Sequence, residues 1–168
     1  MSAESGAAEN PSVAVLAGKA PASLVIFYAG LAAGVLDILY VIVFYAFRSV
    51  GPIRILHGIA AGLIGREAAV KGGWVTAALG LGLHFVIALG AAAVFYAASR
   101  KLRVMIERPA ISGMLYGVVV WLFMNLAVLP LSATPPKSFP SPTWLPVLIA
   151  HLFCVGLPIA WIVRRCGR

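Results

Sequence analysis

Residues 23–47 read SLVIFYAGLAAGVLDILYVIVFYAF, an unbroken apolar run whose one charged side chain is Asp37. A hydrocarbon core about 30 Å thick is crossed by roughly 20 helical residues, so a run of this length is a membrane span. Three further runs have the same character. They cover about 74–98, 110–132 and 145–163, closed or entered by Arg100-Lys101, Arg108-Pro109 and Arg164-Arg165. Trp74, Trp144 and Trp161 stand near span ends, where aromatic rings favour the headgroup level.

Composition agrees. The chain has 168 residues, 62% hydrophobic and 11% charged, with a mean hydropathy of +1.00. A soluble domain needs more charge to cover its surface. The expected fold class is therefore all-α: a polytopic membrane protein of four transmembrane helices. Four spans with short connections use the length, leaving no room for a soluble catalytic domain, and the expectation is that the chain is not an enzyme. The net charge of +8 does not indicate nucleic acid, because the basic residues fall between the apolar runs, beside lipid headgroups. The expected partner is the lipid bilayer.

Residues 1–22 are rich in Ala, Ser, Gly and Pro and are read as a disordered, uncleaved cytoplasmic tail, since a signal peptide needs a basic start and a short apolar core. The transmembrane domain is taken as 23–165, with a basic tail at 166–168. Residues 133–143, ATPPKSFPSPT, hold four of the eleven prolines and form a stiff connection outside the hydrocarbon. Between the first two spans, residues 52–66 predict a fifth helix too short to cross. It is interfacial or re-entrant, with Ile53, Leu56, Ala60 and Leu63 on one stripe.

Lys and Arg counts set orientation. The side of the two termini and the middle connection carries Lys19, Arg100, Lys101, Arg103, Arg108, Arg164, Arg165 and Arg168, eight in all. The opposite side carries Arg48, Arg54, Arg66, Lys71 and Lys137, five in all. The excess favours both termini in the cytoplasm.

Polar residues inside spans are costly and need a reason. Asp37, His84, Asn125 and His151 are the four that stand out. At helical rise, Asp37 and His84 lie about 15 Å, and Asn125 and His151 about 10 Å, below the same membrane face. They form an intramembrane polar cluster in one leaflet. Asp37 shares a helical face with Gly30 and Gly34, and His84 one with Ala77, Gly80, Ala88 and Ala91. Small residues mark close helix approach, so these side chains face neighbours. Two readings follow. In one, Asp37 and His84 form a proton- or cation-responsive site for transport or sensing. In the other, the polar side chains only fix helix register in a structural or accessory subunit, through bonds worth about 1 kcal/mol each; Asn125 suits this second role.

Gly30/Gly34, Gly58/Gly62 and Gly113/Gly117 are three GxxxG pairs, expected to be helix-packing sites and consistent with a tight bundle or a homo-oligomer. No cofactor is expected. The offset between His84 and His151, about 6 Å along the bundle, does not suit bis-histidine haem ligation, and no metal-ligand spacing is present. His57 reads as a headgroup contact. Cys154 and Cys166 are read as free thiols.

Several strings resemble one another's setting in a known group: Gly34-Val35-Leu36-Asp37-Ile38, Ile59 to Ala68 (IAAGLIGREA), Leu83-His84-Phe85, Met124-Asn125, Leu129-Pro130-Leu131-Ser132 and Val155-Gly156-Leu157-Pro158-Ile159. Over about 24–165 the chain resembles small bacterial inner-membrane proteins of the YagU type. The resemblance implies a four-helix protein of the bacterial inner membrane and carries no activity with it.

Overall fold

With no water in the hydrocarbon, every backbone N–H and C=O must be bonded within its own segment, and a long apolar run becomes a helix. The computed structural model describes residues 20–134 and 142–166. The tail expected at 1–22, apart from its last three residues, most of the proline-rich connection and the last two residues of the basic end lie outside the described residues.

Among the described residues, four helices are long and apolar enough to cross a membrane. They are α1 (Ala22–Ala46), α4 (Gly73–Lys101), α6 (Pro109–Leu131) and α7 (Trp144–Cys166). Shorter helices are α2 (Pro52–Ile64), α3 (Arg66–Lys71) and α5 (Val104–Glu107). The all-helical, four-span fold with one short apolar helix after the first span is the one read from the sequence. Leu, Ile, Val and Phe cover the outward faces, as at Leu24, Val43, Val86, Leu115 and Phe153, and meet lipid.

Connections follow local chemistry. Ser49 adopts φ 57°; the Val50 N–H donates to the Tyr45 carbonyl (3.1 Å) and the Ser49 N–H to that of Ala46 (3.0 Å). These are the two bonds of a Schellman end, which turns the chain off α1. Pro52 then opens α2, where its missing N–H costs nothing. Gly65, at φ 80° and ψ 158°, takes a conformation essentially reserved for glycine. It breaks the expected 52–66 helix into α2 and α3.

Packing runs in the order α4–α1–α7–α6. Lipid removes the hydrophobic drive between spans, so close approach at small residues holds them together. A Cβ on Gly30 would lie 2.8 Å from Leu89 Cα, and one on Gly34 would lie 2.7 Å from the Phe85 ring, so α1 rests its backbone on α4. On the other flank Gly113 and Gly117 of α6 meet Gly156 and the His151 carbonyl of α7; a Cβ on Gly117 would stand 2.5 Å from that oxygen. Gly80 of α4 lies under the Leu56 carbonyl of α2. Gly58 takes no such role, since a Cβ there would meet nothing within 4 Å, and one on Gly62 would meet only Ser132, at an ordinary 3.7 Å. The α2 helix is nonetheless fixed, because the Ala133 N–H donates to the Gly62 carbonyl at 2.8 Å.

The two halves of the bundle differ. Val25, Ala29, Ala33, Ala92, Phe95, Val155, Ile159, Ala160 and Val163 form a dry core near the end that carries the termini. The other end, under α2, holds the polar side chains and only a small buried cluster of Ala60, Ala61 and Ala69. Helices α4 and α6 hardly touch. Between them runs an apolar, lipid-facing groove of about 420 Å³, crossed by one polar tie: the Tyr116 hydroxyl donates to the Ala91 carbonyl at 2.6 Å.

Candidate functional site: an intramembrane polar cluster

Helices α6 and α7 each carry a π-helical turn, Met124–Val128 and His151–Gly156. In these turns the backbone bond reaches five residues back, from Leu129 N–H to the Met124 carbonyl and from Leu157 N–H to the Leu152 carbonyl. Proline explains their position. Pro130 and Pro158 lack an N–H and press on the carbonyl four residues earlier, at Leu126 and Cys154. A widened turn just before each proline relieves that crowding, and such turns recur at functional sites.

Asn125 and His151 both sit in the π turns. The Asn125 side-chain Nδ2 donates to the Trp121 carbonyl at 2.8 Å, and His151 Nδ1 donates to the Val147 carbonyl at 2.8 Å. Each reaches the carbonyl four residues back, where the backbone register slips from four to five. The side chain thus supplies a donor where the helix ladder is changing step.

His84 works across helices. Its Nε2 donates to the Gly34 carbonyl of α1 at 2.8 Å, and its ring meets Phe85 edge to face at 5.5 Å. A ring nitrogen bonded to a carbonyl must carry the proton. In the neutral rings, His84 Nδ1 and His151 Nε2 are therefore left with lone pairs.

Asp37 lies one turn beyond Gly34 on α1. His151 and His84 both lie within electrostatic reach of its carboxyl group, and so does the Cys154 thiol. One oxygen, Oδ1, is shut off from solvent and has no hydrogen-bond partner among the described residues. A buried acceptor left unmade costs about 1–3 kcal/mol. The structure therefore brings Asp37, His84 and His151 together across three spans. Asn125 stays on its own helix, bonded to Trp121. Among the described residues no group of His, Cys, Asp and Glu is disposed to hold a metal ion.

The sequence reading did not single out Tyr116. Its signal was an aromatic hydroxyl at mid-span, on the same face as Gly113. Compared with models of protein families, with curated proteins and with solved structures, the chain matches none.

Proposed function

We propose that this chain is a non-enzymatic, multi-pass protein of the bacterial inner membrane, its termini in the cytoplasm, that moves or senses protons through Asp37, His84 and His151. The observation that carries the reading is the unpartnered, solvent-excluded Oδ1 of Asp37, with His84 and His151 within electrostatic reach of the carboxyl group. Glue would be satisfied; a buried carboxylate oxygen kept without a bond, in the field of two imidazoles, suits a group that accepts a proton and passes it on.

Proteoliposomes with a trapped pH dye test this. The full chain should collapse an imposed pH gradient faster than empty vesicles, and Asp37→Asn should remove the difference while keeping the helical fold. Wild-type flux equal to that of empty vesicles sinks transport.

A second reading is favoured by the backbone bonds of His84, His151 and Asn125, which suit a structural or accessory subunit. Under it, Asp37→Asn leaves flux at wild-type level, and the chain co-purifies with a larger assembly.

Orientation has its own test. Cys166 is exposed at the end of α7, and Lys71 is exposed on α3. An impermeant maleimide should reach Cys166 only from the cytoplasmic side, and Lys71→Cys in a Cys166→Ser background only from the opposite side.

A further inference from the structure

Beneath the bend between α2 and α3 lies a cavity of about 440 Å³, walled by the last turn of α1, by α2, by α3 and by Thr134. Its polar side chains are Arg54, His57, Arg66, Tyr45 and Thr134. Among the described residues no carboxylate lines it. The nearest acid in sequence, Glu67, is turned to Lys71 at 2.7 Å in an exposed pair. Arg54 and Arg66 make no ion pair among the described residues.

Two features make this a built place rather than a scatter of surface charge. Gly65 holds a backbone conformation open to glycine alone, and the reversal brings Arg66 back to the cavity that Arg54, twelve positions earlier, already lines. His57 is fixed by donation from Nε2 to the Gly73 carbonyl at 2.8 Å, so its Nδ1 is left for a ligand. The remaining wall is largely apolar, including Val50 and Val70.

We infer that this cavity binds a phosphate group, held by the two guanidinium forks of Arg54 and Arg66. Planar guanidinium matches phosphate oxygens in bidentate fashion, and here two guanidinium groups that make no ion pair among the described residues line one cavity. The phosphate comes from an anionic lipid headgroup or from free phosphate. The apolar wall suits the glycerol and first methylenes of a lipid. The inference does not depend on the proton reading.

The test uses the full chain in neutral detergent. Native mass spectrometry compares retention of phosphatidylglycerol with that of phosphatidylcholine, and thermal melting is followed with inorganic phosphate or phosphatidylglycerol added. The expected result is selective retention of phosphatidylglycerol, falling about tenfold or more in Arg54→Gln/Arg66→Gln. Arg48→Gln, whose guanidinium covers the Phe44 ring at 4.0 Å, should retain it as wild type does. A melting shift with inorganic phosphate alone assigns the site to the free anion, and one with phosphatidylglycerol alone to the headgroup. Equal retention of both lipids by wild type with no response to phosphate overturns the inference, as does a folded double variant that binds undiminished. The wild-type comparison decides even where the double variant fails to fold.

Discussion

His84 Nε2 donates to the Gly34 carbonyl at 2.8 Å, a bond between residues fifty positions apart that joins two spans. Gly34 is also where a Cβ would strike Phe85. The same missing side chain that lets α4 approach α1 exposes the carbonyl that His84 needs. His84→Leu removes the bond and should cost about 1 kcal/mol, a fall of roughly 2–4 °C in melting temperature for a chain of this size. His84→Gln keeps a donor and should lose less. Differential scanning fluorimetry in detergent checks the order; equal losses would mean that the bond does not contribute.

Asp37 makes the opposite prediction. With Oδ1 unpartnered, Asp37→Leu removes the unmade acceptor and should raise stability by about 1–3 kcal/mol while abolishing proton flux. A gain in stability coupled to a loss of function is the usual mark of a site kept under strain. A lower melting temperature in Asp37→Leu would mean that the carboxylate is held by partners after all.

The glycines divide sharply. A methyl at Gly156 would be driven into the Gly113 carbonyl, so Gly156→Ala should cost about 1–3 kcal/mol through overpacking. Gly58 faces open space, and Gly58→Ala should be neutral or stabilise by up to about 1 kcal/mol from helix propensity. Melting curves of the two variants, measured side by side, test the packing order of α6 and α7 against that of α2.

Gly65→Ala meets no atom within 4 Å, yet its φ of 80° is unfavourable for alanine. The cost should be about 1–3 kcal/mol. Because the bend sets the position of Arg66, phosphatidylglycerol retention should drop alongside stability. Retention unchanged in a folded Gly65→Ala protein would separate Arg66 from the cavity.

The four spans were legible because each lipid-crossing helix writes itself as a long apolar run, and Asp37 made its own position conspicuous. Helical rise converts sequence offset into depth, which is why Asp37, His84, Asn125 and His151 are expected to gather toward one face. Which helices would be neighbours was not. Gly113 and Gly117 announce a close contact but do not name Gly156 as its partner, and the Gly58/Gly62 pair gave the same signal while Gly80 supplies the contact to α2. The π turns were hidden for a related reason. Pro130 and Pro158 predict a disturbed helix, but its form depends on which carbonyls the side chains of Asn125 and His151 reach.

The π turn of α7 also fixes a relationship of phase. Each residue of an α-helix advances the azimuth by about 100°, so a turn that accommodates one residue more than the α-helical ladder acts as a rotary offset between the segments it joins. At its first residue His151 lies within electrostatic reach of Asp37; beyond it Ile159 and Val163 are buried in the apolar core. Deleting one residue between 151 and 156 would restore a regular helix and swing one of those two sets toward lipid. The span can satisfy both ends only while it stays one residue out of step.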